Sequence, residues 1–376
     1  MPVPHLRIKR QLRFGRGWGI LMEKMIPGIS IENFRGDGEA LEKMAHTAWR
    51  DEYGVDSYPN LYRPDYLAYL LQAVDDPRLA LAAYRGDEIV GFLLNLPRRM
   101  ALDGQEYRAA LSCLLVTRKE FFRQGLAQAL IQEGLKRNQE LRYDFTLFYL
   151  ETGHRSSRLF AKLREAGLPI ERVKRMHVIV RVLDLPAIAA SENFKRYEAL
   201  ALKLWGGHRV PSGRSDSQVR EATPADADQI LLLLNAHREK VRLARVFGRE
   251  EMRRELIHPP LASTLVYERE GRIQGVLAYV IVEHVGRKKV PWAWINHVAW
   301  DELSFWERLS LVQSFLKAAH RQACAGVVEW SKGVYPNAAL FAARFVPYPR
   351  QVDMMSWRFR DDLSLSSIPE VYEVQI

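Results

Sequence analysis

The residues Arg123-Gln124-Gly125-Leu126-Ala127 join an apolar, strand-like run to a helical one, and this junction is where the sequence could hold a charged ligand. The run before it, Arg108 to Val116, reads as a buried strand. The run after it, Leu126 to Arg137, places Leu126, Ala129, Leu130 and Glu133 at helical spacing with an apolar stripe. A loop of small residues entering a helix leaves several backbone N–H groups unpaired and pointing the same way. With the positive end of the helix dipole, those donors suit a pyrophosphate. Gly125 permits close approach of the backbone, and Ala127 keeps the first helical turn free of bulk. A strand–loop–helix with one glycine is also an ordinary turn, so the loop by itself defines only a candidate anion cradle. Arg118, Lys119 and Arg123 flank it as candidate phosphate partners.

The elements that position this loop recur later in the chain. Arg85-Gly86-Asp87-Glu88-Ile89-Val90-Gly91-Phe92 matches Arg269-Glu270-Gly271-Arg272-Ile273-Gln274-Gly275-Val276. Leu159-Phe160-Ala161 matches Leu340-Phe341-Ala342, and Ile31-Glu32-Asn33-Phe34 and Val219-Arg220-Glu221-Ala222 each lead into a helical pattern. Three matches in one order at a slowly changing offset predict two tandem domains. Each copy reads as a short strand, one or two helices and a hairpin (Leu79–Leu96; Thr264–Glu283). A fourth strand follows (Tyr107–Val116; Trp292–Trp300), then a helix, a fifth strand, a helix and terminal strands. The expected fold is α/β: in each domain a mixed, mostly antiparallel sheet flanked by helices.

The expected divisions are a basic extension over 1–27, a first domain over 28–185, a helical connector and linker over 186–217, and a second domain over 218–376. Within the connector the pattern predicts one helical run from Pro186 to Trp205, then a Gly/Ser/Pro-containing stretch from Gly206 to Ser217. The copies differ at the cradle. No glycine lies between Gly286 and Gly326, and Glu302, Phe305, Trp306 and Glu307 occupy the corresponding region. Carboxylates there would repel a pyrophosphate, so only the first domain is expected to bind one.

The stretch Glu120-Phe121-Phe122-Arg123-Gln124-Gly125-Leu126-Ala127, after its hydrophobic strand, resembles motif A of the GNAT family of acyl-CoA N-acyltransferases. That motif is Arg/Gln-x-x-Gly-x-Gly/Ala; here Phe122 stands where Arg or Gln is usual. The resemblance covers residues 28–185 well and 218–360 more loosely. It implies acetyl-CoA as the acyl donor, in a gap between splayed fourth and fifth strands. The phosphates would rest on Arg123, Gln124, Gly125, Leu126 and Ala127, and the pantetheine arm on the backbone of Leu115, Val116 and Thr117. It further implies direct attack by a primary amine on the thioester, which needs a neutral amine and an acid for the leaving thiolate.

The positions at which the family often carries its glutamate base and tyrosine acid fall on Leu111 and Leu163, and its frequent asparagine on Ser156; the second copy has Asn337. Glu151, ending the fifth strand, is therefore one candidate base and His154 the other. Tyr149 is the candidate acid if its side chain faces the gap. Each also has a plain structural reading: Glu151 and His154 as solvated loop residues, Tyr149 as core. Arg155, Arg158 and Lys162 either reach the phosphates or form a solvated face. Trp292, Trp294, Trp300 and Trp306 either line an acceptor cavity or pack in the core, with the core preferred.

Composition narrows the remaining classes. A chain of 376 residues with 48% apolar and 27% charged residues is long enough for two cores, and no apolar run reaches the length of a membrane span. No membrane partner is expected. The two cysteines, Cys113 and Cys324, form no disulfide framework, and no metal-ligand spacing appears. Cys113 is read as a buried structural thiol and His297 as a satisfied core residue. Of the net charge of +10, five cations precede Met22 with no acidic residue among them. That segment reads as a solvated tail, a targeting arm or sequence upstream of a start at Met22, which argues against nucleic acid as the partner. The expectation is a cytoplasmic, metal-free N-acyltransferase that moves acetyl from acetyl-CoA to a primary amine of a small molecule or peptide. The alternative is a non-catalytic module of the same fold that senses acyl-CoA or binds a partner.

Overall fold

The computed structural model describes residues 26–376 except 55, 166, 193–194, 213–215 and 373–376. The cationic segment before Met22 lies outside the described residues. The first half runs β1 (Ser30–Asn33), α1 (Gly38–Tyr53), β2 (Tyr58–Pro59), α2 (Pro64–Leu71), β3 (Ala80–Arg85), β4 (Glu88–Leu102), β5 (Gln105–Thr117), α3 (Leu126–Glu140), β6 (Phe145–Glu151), α4 (Arg155–Glu165) and β7 (Ile170–Val182). Two connecting helices follow, α5 (Leu185–Ser191) and α6 (Arg196–Trp205). The second half runs β8 (Val219–Glu221), α7 (Ala227–Arg238), β9 (Leu243–Arg245), α8 (Arg249–Leu256), β10 (Ala262–Arg269), β11 (Arg272–Val285), β12 (Lys289–Trp300), α9 (Phe305–Arg321), β13 (Gly326–Trp330), α10 (Ala338–Ala342), β14 (Val346–Arg358) and β15 (Val371–Tyr372).

Local chemistry sets these elements. Asp37 caps α1 by accepting the Ala40 N–H at 2.9 Å, and Leu41, Met44, Ala45 and Ala48 bury one face at intervals of three and four residues. The β3–β4 hairpin turns through Gly86 at φ +63°, a conformation that costs glycine little. The predicted single helix over 186–205 is two. Asp184 caps α5 through the Ala187 N–H at 2.9 Å, and the helix stops at Ser191, whose buried hydroxyl donates to Lys288 O at 2.7 Å.

Instead of two separate sheets, one continuous sheet runs through the molecule in the order β1-β3-β4-β5-β6-β14-β7-β13-β12-β11-β10-β8. Read inward from either edge, the order of elements is the same, and at the centre the last strands of the two halves change places. β14 pairs antiparallel with β6 (Met355 opposite Phe148), while β7 pairs antiparallel with β13 (Val328 opposite Val180). β14 and β7 then pair with each other (Val352 opposite Met176). The exchange ties the halves through backbone hydrogen bonds and apolar burial. Val173, Met176 and Ile179 on β7 are all buried, each contributing roughly 1.5–3 kcal/mol.

The two sheet faces of the first half carry separate clusters. One packs α1 and α2 over Leu111, Leu114, Val116 and Leu147, with Cys113 and Tyr149 at its edge. The other packs α3 and α4 over Phe148 and Leu150, with Leu115 at its edge. Side chains alternate between faces along a strand, so Tyr149 and Glu151 share the α1 face.

Candidate active site

The site begins with a break in the sheet. β5 and β6 run parallel and paired only from Ala109–Phe145 to Ser112–Phe148, and then part. On its other side β5 carries a bulge: Phe92 faces Val116 while Leu94 faces Cys113, leaving an extra residue between. Leu114 there has φ +54°, a left-handed conformation that a branched side chain adopts only under constraint. The bulge and the parting strands turn the backbone of Leu114 to Thr117 toward the gap.

The cradle lies at the far end of that gap. Gly125 is left-handed (φ +92°, ψ 1°) and precedes α3 with no side-chain cap. The N–H groups of Leu126, Ala127 and Gln128 meet no acceptor among the described residues, since the first helical bond runs from Ala129 N to Gly125 O at 2.9 Å. A cavity of about 1700 Å³ connects this helix end to the gap. Leu115, Val116, Thr117, Arg123, Gly125, Leu126 and Ala127 line it. Gln124 does not. Its side chain donates to Glu120 O at 2.5 Å and its N–H to Phe121 O at 3.1 Å, so both are spent inside the loop. Lys119 and Arg123 line the cavity, with Lys119 3.4 Å from Asp51, whereas Arg118 is held by Glu88 at 2.6 Å. Arg158, Lys162 and Ser156 also line it.

Across the gap the structure brings Tyr149, Glu151 and His154 to one wall of the same cavity. Glu151 lies 3.3 Å from Arg350 Nε, so its charge is already matched. His154 Nδ1 is 3.5 Å from Glu52 Oε1, and its ring lies against Tyr53 at 5.2 Å between centroids. A carboxylate at Nδ1 favours the tautomer that leaves Nε2 free to accept a proton. Burial, then the nearby Glu151 charge, raises the Tyr53 hydroxyl well above its ordinary range, which keeps it a donor. Tyr149 packs on Trp330 at 5.2 Å. Leu111 and Leu163, the positions of the family's usual base and acid, are buried apolar residues.

Several lining residues come from far along the chain. Arg350 enters because β14 crosses into the first half; nothing near it in sequence signals this. Trp292, Trp294 and Trp330 form part of the wall with Val180 and Val328, so two of the tryptophans read as core belong to the cavity. Trp300 does not; it packs on Tyr335 at 5.4 Å, and Trp306 is 73% exposed. His284 stacks on Trp292 (5.0 Å, 18°), and its Nε2 accepts the Trp294 Nε1–H at 3.1 Å. Desolvation pushes its pKa down to about 3, so the ring is a neutral donor through Nδ1. Cys113 also lines the cavity and is only half-buried, which corrects its reading as a buried structural thiol. Desolvation pushes its pKa up to about 12, so it remains a thiol and a poor nucleophile.

The second half has the same break in its sheet, filled. β12 and β13 pair only from Trp292–Gly326 to Trp294–Val328, and β12 bulges where Ala278 faces His297 and Tyr279 faces Ile295. Lys332 Nζ enters this gap, 3.4 Å from Ile295 O and 2.5 Å from Glu329 Oε1, with both side chains buried. His297 is core as expected but not satisfied: its Nδ1 finds no hydrogen-bond partner among the described residues. The adjacent helix end is closed as well. Ser304 and Glu307 cap α9 on themselves: the Ser304 hydroxyl takes the Glu307 amide, and the Glu307 carboxylate stands at the helix end where a phosphate would meet it.

Residues 41–164 match the model of the acetyltransferase (GNAT) family. That segment is similar to a GNAT acetyltransferase domain, and the first half has the GNAT fold. No curated protein matches the chain in sequence. Among solved structures, Saccharomyces cerevisiae N-myristoyltransferase with bound myristoyl-CoA has a similar fold: TM-score 0.76 at 13% identity, over 90% of this chain and 84% of that one. The same enzyme with myristoyl-CoA and inhibitors gives 0.74 at 12%, over 89% and 81%. A probable N-acyltransferase of Enterococcus faecalis V583 gives 0.50 at 11%, over 87% and 72%. The GNAT fold thus extends beyond the matched segment into the second half. Among the described residues, no group of three or more His, Cys, Asp or Glu side chains could hold a metal ion, and no helix is long and apolar enough to cross a membrane.

Proposed function

We propose that the protein is an acyl-CoA-dependent N-acyltransferase whose donor carries a fatty acyl chain, transferred to the primary amine of a peptide or small molecule. The first half holds coenzyme A, and the second half, read as a copy of the same plan with its own cleft closed, supplies a wall. The observation that carries this is the cavity of about 1700 Å³. It exceeds the roughly 300–1,000 Å³ of an ordinary small-molecule site. Beyond the gap its walls are Val178, Val180, Trp294, Val328 and Trp330, more apolar surface than an acetyl group can use. Each methylene buried there adds about 0.8 kcal/mol of binding. The myristoyl-CoA held by the structurally similar yeast enzyme makes a donor of that size reasonable.

In this reading the diphosphate sits on the amides of Leu126, Ala127 and Gln128, and the pantetheine arm runs along Leu115 to Thr117. The bulge at Leu114 presents backbone to the thioester carbonyl, whose oxygen gains charge as the amine attacks. The amine nitrogen bonds to the carbonyl carbon and the carbon–sulfur bond breaks. His154 Nε2, oriented by Glu52, takes the amine proton, with Glu151 as the other candidate. Tyr149 or Tyr53 gives a proton to the thiolate. Cys113, held as a thiol, takes no part, so transfer is direct.

The apolar residues at 111 and 163 support a second reading, a module that binds acyl-CoA without turning it over. One experiment addresses both: titrate acetyl-CoA and myristoyl-CoA calorimetrically, then follow thiol release with simple amines. Myristoyl-CoA should bind at least about a hundredfold more tightly than acetyl-CoA. Equal affinities would defeat the fatty-acyl assignment, and tight binding without amine-dependent thiol release would favour the binding module.

A further inference from the structure

Helix α6 borders the cavity with one side and meets solvent with another. Glu198, Ala201 and Leu202 line the cavity. Tyr197, Leu200 and Leu204 face outward and are 64%, 58% and 81% exposed. With Ala201, also exposed, they fall at positions i, i+3, i+4 and i+7, a complete apolar stripe on the wrong side of a helix for core packing. Tyr348, exposed and at the cavity edge, lies close enough to Glu198 to feel its charge. Thus three of the eight exposed large apolar side chains among the described residues stand on one ten-residue helix, and a fourth, Tyr348, lines the cavity that this helix borders. Their flanks are basic: Lys195, Lys203 and Arg209 are exposed, in a chain of net charge +10.

We propose that α6 is an interfacial helix that docks the protein on an anionic lipid bilayer, with Tyr197, Leu200 and Leu204 in the acyl region and the lysines at the headgroups. Three features select a bilayer. A helix of this kind inserts an apolar stripe while its cations meet anionic headgroups. A second copy of the chain would bring the same cations together. The stripe is also continuous with a cavity that, on the fatty-acyl reading, takes a ligand which itself partitions into membranes. A helix lying on a bilayer is compatible with the absence of a spanning one.

The test is flotation of the full-length protein with phosphatidylcholine vesicles, with and without about 30 mol % phosphatidylglycerol, without any coenzyme A ligand. Its outcome is therefore separate from that of the transfer assay. The protein should float with the anionic vesicles and not with the neutral ones. The double variant Leu200→Glu/Leu204→Glu should bind at least about tenfold more weakly, with an unchanged circular dichroism spectrum, since both side chains are solvent-facing. Unchanged binding in the variant would place the attraction on the basic segment before Met22 and overturn the proposal. So would absence of vesicle binding by the native chain, or a native dimer that the variant converts to monomer in light scattering.

Discussion

The Ser304 N–H donates to the Glu307 carboxylate at 2.7 Å, and the Glu307 N–H returns a bond to Ser304 Oγ at 3.4 Å. This reciprocal pair closes the start of α9, whereas the start of α3 behind Gly125 has no such cap. Since the two helices hold corresponding places in the sheet order, the difference predicts one coenzyme A site per chain. Calorimetry should give a stoichiometry of one. Gly125→Asp should weaken binding at least about tenfold, because its carboxylate opposes the diphosphate. Among the described residues, no atom beyond the adjoining ones lies within 4 Å of a Cβ at this position, so the fold should persist. Aspartate tolerates the left-handed backbone at a cost of about 1 kcal/mol, visible as a small drop in melting temperature. Unchanged affinity would remove the cradle from the site.

His154 and Glu52 supply the second prediction. If the imidazole takes the amine proton, His154→Gln should lower kcat by about 10²–10⁴ with little change in KM for the donor. Glu52→Gln should act more weakly, through the tautomer. If Glu151→Gln instead abolishes turnover while His154→Gln retains most of it, the base assignment moves to Glu151.

Much of this architecture was legible because it is local. The hairpin around Gly86, the strand ending near Val116 and the helix beginning at Leu126 are written in periodicity and turn residues within short windows. Tyr149, Glu151 and His154 could be proposed from sequence because they follow the cradle by one helix and one strand. The strand exchange was not legible, since residues 170–182 and 346–358 pair with each other and with the opposite halves, and alternation along a strand does not name its neighbour. Arg350, Tyr53 and His284 reach the cavity only through that long-range pairing and the packing of α1. Gln124 shows the reverse: it sits within the motif, but an intraloop hydrogen bond turns it away.

Lys332 and Glu329 form a buried pair 2.5 Å apart inside the second gap. Removing one partner leaves an uncompensated charge, so Lys332→Met should destabilise the protein by about 3–5 kcal/mol in urea unfolding. Burial raises the Glu329 carboxyl, so it should take up a proton more readily once Lys332 is gone. The loss should therefore shrink as the pH is lowered. Acyl-CoA affinity should not change, because the pair fills the gap that holds no ligand. A change in affinity with unchanged stability would mean the second gap takes part in binding.

His284 gives a prediction with a definite sign. Its ring is neutral in the folded protein because desolvation depresses its pKa from 6.5 to about 3. In the unfolded chain the same imidazole takes a proton near its ordinary value, so the unfolded state binds more protons between those two values. Its contribution to stability is therefore fully present above about pH 6.5 and is lost progressively as the pH falls toward about 3. At about pH 5 the loss from this one group is about 2 kcal/mol. His284→Gln keeps an acceptor for the Trp294 Nε1–H but cannot titrate. The native chain should lose more unfolding free energy than the variant between about pH 7.5 and about pH 5, by roughly that amount. His297, also held neutral by burial, leaves a residual slope of the same sign in both proteins. Parallel stability curves for native and variant would show that His284 accepts a proton in the folded cavity, and the neutral donor assigned to the cavity wall would have to be abandoned.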